Sequence, residues 1–181
     1  VGGVALSGTG TFTNNGTLNA TGNTAGYNLQ FNVAFINAGT VAKTAGASDL
    51  VFAGDFSNSG TVNAEVDNIR FSGSSTHAGD LVLDGGQLQF SAGTHEFNSG
   101  STVTGAIGTF LASGATLNFN SGASYTPGAH TQISGGTVNF DTGSGVTTGT
   151  LSQSAGTLQG TDDITVSGKT LGEKDLISID G

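Results

Sequence analysis

The sequence contains no cysteine, so the chain has neither disulfide bonds nor thiolate ligands for a metal such as zinc. It also lacks long apolar runs. A helix that crosses a bilayer needs about 20 consecutive apolar residues, and no stretch approaches that length. We therefore expect no membrane insertion and no fold held together by disulfides or zinc.

Basic residues are scarce as well: four Lys and Arg stand against thirteen Asp and Glu, which gives a net charge of −9. A nucleic-acid-binding protein needs a basic surface to neutralise phosphates, so nucleic acid is excluded as a partner. Charged residues make up only 9% of the chain, whereas disordered chains of low hydrophobicity usually carry high charge. Eleven Phe and many aliphatic residues supply a core.

A six-residue pattern recurs seven times: a small polar residue, any residue, Gly, Thr, Leu or Val, and then Asn or Gln. Its copies are NNGTLN (14–19), NAGTVA (37–42), NSGTVN (58–63), DGGQLQ (84–89), SGATLN (113–118), SGGTVN (134–139) and SAGTLQ (154–159). Such repeats of strands and tight turns are typical of solenoid proteins.

Residues within each copy alternate with a period of two, which indicates strands. Leu117 and Phe119 point to one side of their strand, and Asn118 points to the other. The frequent Gly also disfavours helix. The sequence predicts an all-β, single-stranded parallel β-helix (β-solenoid) with about 20–25 residues per rung. An antiparallel sandwich is the rival architecture, but the matching columns of the repeats favour the solenoid.

Stacked rungs would place equivalent residues in columns. We expect one buried line of aliphatic residues: Leu18, Val41, Val62, Leu88, Leu117, Val138 and Leu158. The neighbouring amides are expected to hydrogen-bond from rung to rung, as in Asn/Gln ladders. The Gly of each copy is expected to supply positive φ at a corner, a conformation that Ala115 would adopt at a cost.

With these columns the sequence resembles the passenger regions of bacterial autotransporters and filamentous-haemagglutinin-like adhesins. The stretches that carry the likeness are GTFTNNGTLNATG (10–22), FSNSGTVNAEV (56–66) and LSQSAGTLQGTDDITVSG (151–168). The resemblance implies a right-handed β-helix that is secreted or on a cell surface (extracellular). It ends before the charged tail, so residues 1–168 are predicted as solenoid repeats and 169–181 as a cap or junction.

Glu65 and Asp67 are the strongest candidates for catalysis, because they alternate onto one face of a strand with Arg70 nearby. Glycoside hydrolysis requires two carboxyl groups across the scissile bond. Carboxylates two apart on a strand are more typical of a solvated surface. We therefore predict no catalytic residue and no enzyme activity, and keep a polysaccharide-acting β-helix enzyme as an alternative.

Metal sites find little support in the sequence. Calcium prefers several oxygen ligands, and Asp162 and Asp163, with Asp141 about one turn earlier, suggest at most a weak site. The histidines share no metal-ligand spacing, and we interpret them as isolated surface residues: His77, His95 and His130. No metal and no cofactor is predicted.

Outward-facing Thr and amide residues would form a flat array beside the aliphatic line. Its members are Thr17, Asn19, Thr61, Asn63, Thr116, Asn118, Thr137, Asn139, Thr157 and Gln159. Arrays of this kind on solenoids resemble the Thr-rich faces of ice-binding proteins. Binding of ice or of a flat polysaccharide surface is therefore an alternative function.

The function that we predict first is structural and adhesive: a stalk, adhesin or matrix segment of a bacterial surface protein. Open end rungs expose unpaired strand edges. The expected partners are therefore neighbouring modules of the same protein, or a second copy that associates end to end through the uncharged residues 1–42. A glycan or another surface ligand is a further candidate partner.

Overall fold

A computed structural model describes residues 3–22 and 26–168, which form seventeen β-strands and no helix. The strands are β1 (Val4–Asn14), β2 (Thr17–Ala20), β3 (Leu29–Asn37), β4 (Thr40–Lys43), β5 (Leu50–Phe52), β6 (Phe56–Asn58), β7 (Thr61–Ala64), β8 (Asn68–Phe71), β9 (Ser75–His77), β10 (Asp80–Phe90), β11 (Thr94–Phe97), β12 (Thr102–Phe119), β13 (Ser124–Tyr125), β14 (His130–Phe140), β15 (Val146–Thr148), β16 (Thr150–Gly160) and β17 (Ile164–Val166). The predicted cap or junction at 169–181 lies outside the described residues.

Each turn of the chain contributes strands to three faces, and each face is a parallel ladder of stacked rungs. Face 1 aligns Val4, Leu29, Leu50, Ile69, Leu88, Phe110, Thr131 and Leu151. Face 2 aligns Phe12, Phe35, Phe56, Ser75, His95, Leu117, Val138 and Leu158. Face 3 aligns Leu18, Val41, Val62, Leu81, Val103 and Tyr125, and continues in the pair Val146 and Ile164.

The predicted fold class is confirmed: the chain is an all-β parallel β-solenoid of about eight turns. Paired residues on neighbouring rungs lie between 18 residues apart, as for Val146 and Ile164, and 25 residues apart, as for Val4 and Leu29. That range is close to the predicted 20–25 residues per rung. The right-handed sense of the coil stays a prediction.

Phenylalanine rings form the centre of the core because inward positions recur at the same place in successive rungs. On face 1 the ring of Phe71 stacks on Phe52 at 5.5 Å and on Phe90 at 5.0 Å between centroids. Each of these rings is at most 1% exposed. Full burial of such a side chain contributes about 1.5–3 kcal/mol, so this column is a major source of stability.

The prediction of one buried aliphatic line is wrong, because the repeated pattern occupies different faces in different rungs. Leu18, Val41 and Val62 align on face 3, Leu88 aligns with Ile69 and Phe110 on face 1, and Leu117, Val138 and Leu158 align on face 2. The physical reason is that all three faces are strands that follow a corner, so the same residues suit each of them.

The longest amide ladder lies inside the solenoid, whereas in the predicted outer column Gln89 is the residue that bonds to an amide of a neighbouring rung among the described residues, accepting from Nδ2 of Asn68 at 2.8 Å. Asn14 donates from Nδ2 to Oδ1 of Asn37 at 2.8 Å, and Asn37 donates in the same way to Asn58 at 2.8 Å. Asn37 also donates to the carbonyl oxygen of Thr61 at 3.0 Å. These amides are at most 8% exposed, and the ladder satisfies polar groups whose unpaired burial would cost about 1–3 kcal/mol each.

Glycine at the repeat corners is explained mainly by the close approach of neighbouring rungs. A Cβ at Gly60 would overlap the carbonyl oxygen of Gly39 in the rung before it. The predicted positive φ is confirmed for Gly136 and Gly156, at 78° and 82°, but not for Gly39 and Gly60. Ala115 has no positive φ and is buried, so the predicted cost at that position is wrong.

We expect the substitution Gly60→Ala to destabilise the solenoid by about 1–3 kcal/mol or more, because the added methyl group forces the rungs apart. Gly16→Ala is the matched control: Gly16 holds the same corner in the first rung, and its added Cβ would meet no atom within 4 Å. Denaturant unfolding of both variants measures the difference. Equal free energies of unfolding would show that rung contact at this corner does not constrain the fold.

Candidate functional site

The outer side of face 2 brings together six of the ten residues predicted to bind a flat surface. Thr94, Thr116, Thr137 and Thr157 align in four successive rungs, and Glu96, Asn118, Asn139 and Gln159 align beside them. Thr157 and Gln159 are exposed, whereas the Thr and Asn of the two preceding rungs are half-buried. The sequence prediction missed Thr94 because its copy carries His and Glu in place of an aliphatic residue and an amide.

The remaining four predicted residues lie on face 3, so the single array predicted from the sequence is wrong. Thr17 and Thr61 align there with Thr40 between them, and Ala42 separates Asn19 from Asn63. The split follows from the placement of the pattern on different faces. A binding role for either half stays a prediction.

A groove of about 570 Å³ runs along the first five rungs of face 2. It is lined by Thr11, Ala34, Phe35, Ile36, Asp55, Phe56, Ser57, Ser74, Ser75, Thr76, Thr94 and Glu96. The outward side chains in this part of face 2 are mostly small, so its surface is recessed and forms the groove. Ile36 is the largest aliphatic residue of the groove and is 43% exposed.

Two carboxylates give the groove its charge. Glu96 is held in place because its Oε1 accepts from Nδ2 of Asn118 at 2.7 Å and its Oε2 accepts from Nδ2 of Asn120 at 2.8 Å. Asp55 lies exposed two rungs earlier. Among the described residues that line the groove, none is Lys or Arg. The groove therefore presents fixed negative charge with no internal counter-ion.

The candidate catalytic pair is not arranged around this groove. Glu65 accepts from Nδ2 of Asn63 at 3.0 Å, and Arg70 forms an ion pair with Asp49 at 3.7 Å. Asp67 lies at a corner with a φ of 53°, a conformation that Asp tolerates better than most residues. Glu65 and Arg70 are thus engaged by neighbouring side chains, and the absence of catalysis stays a prediction.

The carboxylates of the suggested calcium site connect two neighbouring corners. Asp162 Oδ2 accepts a hydrogen bond from the main-chain N–H of Thr142 at 2.6 Å. Asp141 Oδ1 accepts a hydrogen bond from the main-chain N–H of Thr161 at 3.0 Å. Hydrogen bonds from Thr161 and from Asn139 lower the pKa of Asp141. Within residues 3–22 and 26–168, no three His, Cys, Asp or Glu side chains converge in a way that would hold a metal ion.

The prediction of surface histidines is wrong for His77 and His95, which are 0% exposed. Ser75 lies between them, with its Oγ 2.7 Å from Nε2 of His77 and 2.6 Å from Nδ1 of His95. Nε2 of His95 is 2.9 Å from the carbonyl oxygen of Ala92, which can only accept. His95 therefore carries its proton on Nε2, Ser75 donates to its Nδ1, and His77 donates from Nε2 to Ser75.

This polar cluster lies where the Phe of face 2 moves from the first to the second of the two inward positions in each strand. In the first three rungs the two inward residues are Phe and then Asn. In the sixth and seventh rungs they are an aliphatic residue and then Phe. Ser75 and His77 hold the fourth rung, and His95 and Phe97 hold the fifth. The His77 ring stacks on Phe97 at 4.8 Å, so it continues the aromatic column while it bonds to Ser75.

The buried histidines make stability depend on pH. Burial, assisted by repulsion from His95, lowers the pKa of His77 to about 3, and burial lowers the pKa of His95 to about 4. Both values are below the 6.5 of an unfolded chain, so the unfolded state takes up protons first as the pH falls. The stabilising contribution of the two neutral histidines is fully present above pH 6.5, and between pH 6.5 and about 4 each histidine should reduce the free energy of unfolding by about 1 kcal/mol per pH unit.

The triple variant Ser75→Ala, His77→Phe, His95→Leu matches the residue types of later rungs and should lose this part of the pH dependence. Free energies of unfolding at several pH values between 4 and 7 measure the slope for both proteins. The carboxylates are common to both, so the difference isolates the cluster. A variant with the slope of the unchanged chain would contradict the assignment.

His130 is the histidine that the outer surface does carry. It is half-buried on face 1, with Nδ1 2.6 Å from Oγ1 of Thr150 and Nε2 3.0 Å from Oγ of Ser152. A serine next to a histidine suits nucleophilic catalysis only where donors stabilise the developing charge. Here both hydroxyl partners belong to the next rung of a paired sheet, and the contact joins the two rungs.

These observations define the class of protein as a three-faced parallel β-solenoid with a groove on face 2. Comparison with protein-family models, with curated proteins and with solved structures finds no match for the chain. No helix in the part of the chain that the structure describes is long and apolar enough to cross a membrane.

Proposed function

We propose that this chain is a structural and adhesive β-solenoid segment of a secreted or cell-surface bacterial protein, where it serves as a stalk, adhesin or matrix component. The proposal includes no catalysis and no cofactor. The observation that carries it is the single continuous core around which the parallel rungs stack, with register shifts only between the paired segments of its long strands. The resemblance of the repeats to bacterial surface adhesins supports the same role.

The stacked ladders suit a rigid spacer. Neighbouring strands lie about 4.8 Å apart, so eight rungs extend about 40 Å. Bending such a rod would stretch main-chain hydrogen bonds on one face and compress the Phe columns on another. A rod of this kind holds a binding surface at a fixed distance from its anchor.

The first rung is the surface that suits a partner module or a second copy. Val4 and Leu6 occupy inward columns, yet they are 72% and 44% exposed. Their strand, β1, pairs with β3 on one edge only among the described residues. An open strand edge favours pairing with another chain or module, and the absence of charge in residues 1–42 removes electrostatic repulsion.

Beads coated with the chain should adhere to cells or glycan-coated surfaces, and adhesion should depend on the folded rod. We expect Gly16→Ala to retain binding and Gly60→Ala to weaken it, because the added methyl group destabilises the stacked rungs. Adhesion counts for the three proteins, with folding checked by circular dichroism, measure this. A folded chain that binds no surface would contradict the adhesive role, and one that cleaves polysaccharide and loses that activity in Glu65→Gln would contradict the absence of catalysis.

The alternative function, binding of ice or of a flat polysaccharide surface, is supported by the four aligned Thr on face 2. If this face binds a lattice, Thr137→Tyr should abolish thermal hysteresis, because the ring would break the flat surface. Thr61→Tyr on face 3 is the matched control and should leave hysteresis unchanged. The absence of hysteresis and of crystal shaping in the unchanged chain would remove ice as a ligand.

A further inference from the structure

The groove on face 2 follows the long axis of the solenoid. Its lining residues come from five successive rungs, from Thr11 in the first to Thr94 and Glu96 in the fifth. Four rung spacings of about 4.8 Å give a length of about 19 Å. A groove of this length and shape suits an extended polymer better than a compact small molecule.

The lining combines hydroxyl groups with an apolar strip. Ser57, Ser74 and Thr76 each supply a donor and acceptor, and Ala34 with the exposed Ile36 forms the apolar part. Sugar rings have the matching chemistry, since each carries hydroxyl groups around its rim and C–H groups on its faces. The groove can therefore contact both parts of a sugar at once.

The spacing of the rungs distinguishes a glycan from a peptide. An extended peptide advances about 3.3 Å per residue, whereas the rungs are about 4.8 Å apart. Successive peptide residues would therefore not meet equivalent positions of successive rungs. A chain of pyranose rings in its extended form advances by nearly one rung spacing per sugar. Each sugar would then meet an equivalent position of the next rung.

The charge of the groove selects among glycans. Asp55 and Glu96 are its charged residues, and the chain as a whole has a net charge of −9. Glu96 is fixed by Asn118 and Asn120, while each of its oxygens retains a second lone pair. A protonated amine offers three donors to such carboxylates. A glycan of uronic acids would be repelled.

We propose that this groove binds an extended glycan whose sugars carry protonated amino groups. The inference rests on the proposed adhesive function, for which it names the ligand class and the site. Asp55 and Glu96 bind the amines, the hydroxyl residues bind the ring substituents, and Ile36 packs against the ring faces.

Calorimetric titration tests the proposal with three oligosaccharides of equal length: a glucosamine oligomer, its N-acetylated form and an oligogalacturonate. A mildly acidic buffer keeps the amines protonated, and circular dichroism confirms folding. We expect the glucosamine oligomer to bind about fivefold or more tightly than the acetylated one, since a charge contact at a surface contributes about that factor. The anionic oligomer should not bind, and added salt should weaken the complex.

Variants locate the site. Asp55→Asn and Glu96→Gln should each weaken binding of the glucosamine oligomer about fivefold, and Ile36→Lys should abolish it because the new cation repels the amines. Asp84→Asn is the matched control: Asp84 is an exposed carboxylate outside the residues lining the groove, and its loss should leave affinity unchanged.

The outcomes separate this inference from the proposed function. Equal binding of the acetylated and free oligomers would overturn the role of the carboxylates, and equal effects of Asp84→Asn and Glu96→Gln would overturn the groove as the site. A chain that adheres in the bead assay but binds no glucosamine oligomer would overturn the ligand class while the adhesive function stands. A chain that does neither would overturn both.

Discussion

The parallel main-chain hydrogen bonds between rungs are the constraint on which the rest of the structure depends. They hold neighbouring strands about 4.8 Å apart, so each side chain lies directly against its equivalents in the rungs before and after it. Like charges at that distance repel, which accounts for a charged content of only 9%. The same proximity leaves no room for a Cβ at Gly39 or Gly60.

Stacking also requires that inward side chains in neighbouring rungs pack well or hydrogen-bond with one another. On face 2 one inward column changes from Asn in the first rungs to Phe in the later ones. The ladder of Asn14, Asn37 and Asn58 satisfies its own amides, and the later rungs stack Phe on Phe. If an Asn of the ladder stacked directly on a Phe of the later rungs, its amide group would have no hydrogen-bond partner in that ring. His77 fits between the two because its ring stacks on Phe97 while its Nε2 bonds to Ser75.

The same repetition shapes the outer surface that carries the proposed function. Where outward residues are alike, as in the four aligned Thr of face 2, the same side chain repeats from rung to rung. Where they are small, as at Ala34 and Ser57, the face is lower and forms a groove. Adhesive specificity on this rod therefore depends on which residue occupies each outward position and needs no inserted loop or separate domain.

The sequence by itself determined the all-β class, the rung length and the alternation of inward and outward residues, because these follow from local pattern and Gly-rich corners. Only the tertiary structure decided which face each copy of the pattern occupies. The steps from Val62 to Leu88 and from Leu88 to Leu117 each equal one rung plus about one face, which moves the pattern to the next face. The groove is likewise invisible in sequence, since Ala34, Asp55, Ser74 and Thr94 share no residue type and become neighbours only when the rungs stack.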